Sequence, residues 1–193
     1  LFRSKVSVGY LDQQSTLEKG MTIREVLRTA FQGMYEMEQQ MLDLYDKMGD
    51  ATPEELDKMM NTVGEIQSEL EHSGFYSLDA KIEEVANGLG LGSVGLDRDV
   101  ADLSGGQRSK VLLTKLLLQN SNILLLDEPT NYLDVEHIEW LTKFLQNYEH
   151  AFILISHDIT FLNNVVNVIY HLENSNLTRY TGDYNRFQEM YAI

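Results

Sequence analysis

Ile123-Leu124-Leu125-Leu126-Asp127-Glu128-Pro129-Thr130 is the stretch on which the fold turns. Four apolar residues in a row end on two adjacent carboxylates. The run from Asn122 to Asp127 predicts a parallel strand buried on both faces. In open α/β sheets, ligands gather beyond the carboxyl ends of such strands. Asp127 is placed there to hold Mg²⁺ through its water shell. Glu128 is placed to orient or deprotonate an attacking water, as phosphoryl transfer to water requires. The bland alternative is a pair of acids capping the next helix. The loop that follows, Pro129-Thr130-Asn131, makes that alternative weak.

Downstream, Val135 to Tyr148 has the periodicity of an amphipathic helix. Ala151 to Ser156 is a second apolar strand. Strand, helix and strand form a βαβ unit, whose crossover is expected to be right-handed. Ser156-His157-Asp158 closes the second strand, where an imidazole can bond a terminal phosphate oxygen. A lone histidine at a strand end is more often structural. Its place one βαβ unit after the two acids favours the functional reading. Asn167 to Leu172 and Leu177 to Tyr180 should pair as a hairpin across 174–176. Tyr184 to Tyr191 reads as a terminal helix.

Upstream, Leu103-Ser104-Gly105-Gly106-Gln107 leads into an apolar helix, Gln107 to Leu118. Two glycines let main chain approach an oxyanion, and a helix N-terminus offers free N–H groups to it. Ser-Gly-Gly is also ordinary loop chemistry. The acidic strand end downstream tips the balance toward phosphate. Near the start, Lys5 to Leu11 reads as a short strand. Gln13 follows it, and its amide oxygen can ligate Mg²⁺ or position water. Thr22 with Glu25 looks like a capping box. Helical spacing runs from Ile23 through Met48 as one helix or two, and a further helix from Pro53 to Leu70 makes an antiparallel hairpin with it. Its methionines read as adaptable core filling. Leu78 to Leu89 is another helix. Gly90-Leu91-Gly92-Ser93-Val94-Gly95 matches G-x-G-x-x-G, but it follows a helix instead of a strand and reads as a flexible connecting loop.

Composition narrows the partners. The chain of 193 residues has no cysteine, so disulfides, thiolate catalysis and Cys-ligated zinc are excluded. Its formal net charge is −15. Residues 34–71 carry eleven acids against Lys47 and Lys58, a balance of −9. Such a surface argues against direct contact with RNA phosphates. No segment is apolar for long enough to cross a bilayer, and no secretory signal opens the chain. The first residue is Leu1, so the N-terminus is expected to have been cut or left out.

The runs VGYLDQ, LSGGQR, ILLLDEPTNYLD and ILISHD resemble the Q-loop, signature, Walker B with D-loop, and switch histidine of an ATP-binding cassette. DEPTNYLD, with Asn131 and Asp134, and the long helical insertion resemble the ABC-F branch. YTGDYNRFQEMY resembles the approach to that family's inter-cassette linker. The resemblance implies an α/β fold: a partial P-loop NTPase core with a mostly parallel sheet, plus an α-helical subdomain carrying a helical-hairpin arm. The implied division is 1–20 as the Q-loop part of the core, 21–103 as the helical subdomain with its arm at about 34–71, and 104–193 as the rest of the core. It further implies ATP and Mg²⁺ as cofactors, with metal ligands Asp127 and Gln13, catalytic carboxylate Glu128 and phosphate sensor His157. Ser104, Gly105, Gly106 and Gln107 would meet ATP held by a second cassette, and Asp134 would communicate across that head-to-tail interface. The expected role is a cytoplasmic, ribosome-associated ATPase. The alternatives are the nucleotide-binding subunit of a membrane transporter, or an interaction module built on the acidic hairpin. A P-loop needs G-x-x-x-x-G-K-[ST], and no Gly-Lys pair occurs in the chain. The chain by itself is therefore expected to be inactive. The P-loop strand should be a central one, so association or a distorted sheet is also expected. The arm suggests the first cassette of a pair.

Overall fold

The computed structural model describes residues 6–11, 17 and 19–192. Three parallel strands form the sheet: β1 (Val8–Tyr10), β2 (Ile123–Asp127) and β3 (Ala151–Ile155), in that order. Leu125 of β2 is in register with Tyr10 on one side and Ile153 on the other. On one face of β2, Leu124 and Leu126 are buried. The helices that supply their cover are α5 (Gly105–Leu118) and α6 (Val135–Gln146). Val111, Leu113, Leu116 and Leu117 from the first, and Leu141 and Leu145 from the second, belong to the same core, together with Phe161.

The opposite face departs from expectation. Burial of the strands on both sides was expected, yet the side chains there are only partly covered: Ile123 and Leu125 of β2 are half-buried. In β3 the pattern alternates: Phe152 and Leu154 are half-buried, while Ile153 is 61% and Ile155 56% exposed. Val8 and Tyr10 of β1 are exposed on the same side. The reason is physical. A parallel strand that is apolar throughout calls for cover on both faces, and here the cover is partial: Val168, Phe187 and Tyr191 flank a cavity of about 890 Å³ along β3 that Ile153 and Ile155 also line.

Helices α1 (Ile23–Arg28) and α2 (Gln32–Met48) are separated by a 3-10 turn at 29–31, so the long periodic run is two helices. The Thr22–Glu25 capping box is present at the first of them. Helix α3 (Pro53–His72) starts on a second capping box, Thr52 with Glu55, and packs back along α2. The bonds from Thr52 also hold the Glu55 carboxyl below its usual range. The base of this arm has its own small core of Leu70, Phe75 and Leu78, flanked by Met34, Met37, Met41 and Ile66. Helix α4 (Leu78–Gly88) returns the chain to the main core. The glycine-rich run 90–95 is a series of turns pinned by Leu91 N–H to Ala86 O at 2.9 Å, with Leu91 fully buried. Arg24 of α1 ties this region together by bonding Glu83 at 3.1 Å and Asp97 at 3.3 Å.

After β3 comes α7 (Ile159–Val165), a short helix not expected from the sequence and capped by Asp158, whose carboxylate accepts from Phe161 N–H at 2.9 Å. Strands β4 (Val168–Glu173) and β5 (Asn176–Thr181) form a separate antiparallel pair. Its turn residues Asn174 and Ser175 both have positive φ, as a two-residue hairpin turn requires. Helix α8 (Tyr184–Tyr191) packs Phe187 against His171 and Tyr180 of that hairpin.

A partly covered apolar sheet face whose outer strands have no further partner among the described residues favours self-association. The 193-residue chain at about 50 μM is expected to sediment as dimers or larger species. Ile153→Lys should shift it toward monomer while changing unfolding stability by less than about 1 kcal/mol, since this side chain already faces solvent. A wild-type chain that stays monomeric in sedimentation contradicts this.

Candidate functional site

Asp127 is the last residue of β2 and stands in register with Ile155, the last of β3. Glu128 then leaves the strand with a φ of 47°. That left-handed backbone costs a residue with a Cβ about 1–3 kcal/mol. Its main-chain N–H donates to the Ile155 carbonyl at 2.8 Å. The bond turns the Glu128 side chain toward the end of β3. There Oε2 accepts the main-chain N–H of His157 at 3.2 Å. The other oxygen, Oε1, hydrogen-bonds Nδ1 of the imidazole. Glu128 is only 18% exposed in its side chain, whereas the imidazole is 95% exposed. The acid is held in place and the ring stands in solvent, where an incoming group can reach it.

Asp127 and Glu128 line a cavity of about 110 Å³ with Leu11, Ser109, Lys110 and Asn131. Sequence reasoning missed Lys110. Its only signal was helical spacing from the glycine corner, which does not reveal that α5 runs past the strand end. Gln13, assigned to the same place from sequence, lies outside the described residues. Among the described residues no group of three or more His, Asp or Glu side chains could hold a metal ion. One or two carboxylates are nevertheless a donor set that fits Mg²⁺, since that ion keeps several of its waters.

The glycine corner has a definite structure. Ser104 is the N-cap of α5, and Gly105 and Gly106 form its first turn. The sequence reading began this helix at Gln107. The difference comes from a capping box: Ser104 Oγ accepts the Gln107 N–H at 3.2 Å, and Gln107 Oε1 accepts the Ser104 N–H at 3.0 Å. The S-x-x-Q spacing was the available signal. Capping uses the Ser104 oxygen as acceptor, so its hydroxyl proton can still be donated elsewhere. The Gln107 carbonyl, by contrast, is engaged in the cap. Nothing lies within 4 Å of a Cβ built on Gly105, while one built on Gly106 comes within 3.1 Å of Tyr132 Cδ1. Ser104 to Gln107 do not line the acid cavity; the corner meets the acid-bearing loop at Tyr132. Asp134 is the N-cap of α6, with no capping bond from its own side chain.

The family model described as ABC transporter matches residues 2–131, and the chain belongs to that family. It is a partial cassette with the α/β cassette fold, mostly helical around a small parallel sheet. It is 61% identical to the ABC transporter ATP-binding protein YfmM of Bacillus subtilis over 97% of this chain and 36% of that protein. It is 35% identical to the energy-dependent translational throttle protein EttA of Mycobacterium tuberculosis, over 96% of this chain and 32% of EttA. The ABC-F proteins EttA and YheS are thus both among its relatives, the latter, from Escherichia coli, at 38% identity over 66% of this chain and 20% of YheS. The chain spans about a third of the length of the first two of these relatives. Among solved structures, an ATP-binding subunit of an ABC transporter superposes with a TM-score of 0.61 at 16% identity, covering 96% of this chain and 62% of that one. At that identity the likeness is of fold alone. No described helix is long and apolar enough to cross a membrane.

The two glycines should respond differently to substitution. Gly105→Ala meets no neighbour and is expected to leave stability unchanged or raise it by about 0.5 kcal/mol. Gly106→Ala presses on Tyr132 and should be neutral or destabilising. Thermal unfolding of the two variants checks this, and a Gly105→Ala variant that unfolds well below wild type contradicts it.

Proposed function

We propose that this chain supplies one partial cassette of an ABC-F-type ATPase that acts on the ribosome during translation. The observation that carries the reading is the hydrogen-bonded pair of Glu128 and His157, beside Asp127, at the ends of neighbouring parallel strands. Similarity to EttA, whose name describes a translational throttle, supports the translation part.

In this reading Asp127 and Gln13 hold Mg²⁺, which neutralises phosphate charge when bound. Glu128 orients the attacking water and accepts its proton as the water oxygen bonds to the terminal phosphorus of ATP. ADP is the leaving group. The exposed His157 ring donates a hydrogen bond to a terminal phosphate oxygen. Ser104 donates its hydroxyl proton, and Gly105 and Gly106 offer main-chain N–H groups, to the phosphate of ATP bound by a second cassette packed head-to-tail. Gln107 assists by holding the cap. Asp134 contacts that second cassette. Residues 1–20 and 104–193 contribute to the ATPase core, and 21–103 form the helical subdomain. The arm, at −9, suits a basic ribosomal protein better than RNA phosphates. The protein works in the cytoplasm, and the chain alone, lacking a Gly-Lys phosphate loop, is inactive.

In the full-length protein, Glu128→Gln is expected to lower kcat for ATP hydrolysis at least about 100-fold with nucleotide binding retained. Steady-state ATPase and nucleotide titration measure the two, and unchanged turnover refutes the assignment. Deletion of residues 34–71 should abolish ribosome co-sedimentation and leave ATPase intact. Retained co-sedimentation removes the arm as the contact, and a loss of membrane association instead favours a transporter subunit.

A further inference from the structure

The loop that carries the acids and the corner that starts α5 are joined a second time, at a distance from both. Helix α6 follows its cap Asp134, and its first turns present His137 and Trp140 to the end of α4. His137 Nδ1 lies 3.0 Å from the Gly88 carbonyl, 49 residues away in sequence. A carbonyl oxygen only accepts, so Nδ1 carries the proton. Nε2 is then the ring atom left to face Asp134, 3.8 Å from its Oδ2. The His137 side chain is only 18% exposed. The ring also fills the space over Gly90, where a Cβ would come within 2.6 Å of Nε2. Trp140 does the same at Gly88, 2.1 Å from a built Cβ to Cε2. Only glycine fits at either place, and Gly90 has a φ of +84° besides. From Gly90 the chain reaches Ser104 over a segment anchored in the core by Leu91, Leu96, Val100 and Leu103, all buried.

We propose that His137 and Trp140, seated on Gly88 and Gly90, form a strut that makes the Asp134 loop and the Ser104–Gly106 corner move as one body. His137 is a positioning residue: it acts through the first turn of α6, which Asp134 caps, and through the Gly88 end of α4, without touching nucleotide. The contact of Tyr132 with Gly106 closes the other side of the same ring of contacts. This inference rests on the cassette pairing proposed above, because both tied elements are the ones assigned to face the second cassette. Its consequence is that engagement of either element by a partner orders the other, so that two cassettes close together instead of one contact at a time.

The test compares His137→Ala with His137→Asn, whose side-chain amide can keep the donor to the Gly88 carbonyl. In the full-length protein, His137→Ala should raise the ATP concentration at half-maximal activity about fivefold or more and flatten its dependence on ATP. The change in kcat should be smaller, and His137→Asn should restore most of the loss. By amide exchange, His137→Ala should speed exchange in both 104–108 and 130–134, with the arm at 34–71 unchanged. Faster exchange in only one of the two segments, or half-saturation equal to wild type, overturns the strut. Absence of ATPase in the unmutated protein overturns the functional reading instead, and amide exchange then decides the strut alone.

Discussion

A single main-chain hydrogen bond, from Glu128 N–H to the Ile155 carbonyl, sets the geometry on which the site depends. It adds one rung to the β2–β3 ladder after the strands have formally ended. Without it, nothing obliges the residue after Asp127 to adopt left-handed backbone, and the carboxylate would continue along the strand direction. With it, the carboxylate swings toward β3 and meets both the main-chain N–H and the ring of His157. The rung is possible only because β2 and β3 are parallel and in register at Asp127 and Ile155. That register is enforced from below, where Leu124 and Leu126 sink into the core against α5 and α6. A shift by one residue would expose both leucines. Packing energy on the inner face thus fixes the position of an acid on the rim.

Much of this was legible beforehand, for identifiable reasons. The apolar run 123–126 bounded by acids, the helix after it and the second apolar run 151–155 specify a βαβ unit by period and length alone. Thr22 with Glu25 marked a helix start, because a capping box is local chemistry. The same chemistry was present at Ser104 with Gln107, but the intervening glycines read as loop, and the helix began two residues earlier than expected. Helix α7 is too short to show a period, and its Asp158 cap sat inside a motif read for its histidine. The left-handed backbone at Glu128 leaves no trace in sequence, since nothing about a glutamate announces it. The reach of His137 to Gly88 is a long-range contact. The glycines involved straddle the start of a run that looked like spacer.

The incompletely covered sheet face was the largest departure, and it follows from what local pattern can report. Alternation or its absence in a strand states what a side chain prefers, not whether a second layer is present to satisfy it. Ile153 and Ile155 have the composition of a doubly buried strand and the exposure of a surface one. The arm shows the opposite relation. Its methionines prefer cover and obtain it partly from Phe75 and Leu78 at the base, while the acids stay on the outside. The arm is charged and covered at its own scale, whereas the sheet carries more apolar surface than its cover.

The strained backbone of residue 128 sets stability against chemistry at one position. Glycine or asparagine would accept that conformation at lower energetic cost, yet neither carries a carboxylate. The side chain on this strained turn is also a clasp: its two oxygens hold the main chain and the ring of His157, so replacing it would relax the turn and release the neighbouring strand end together.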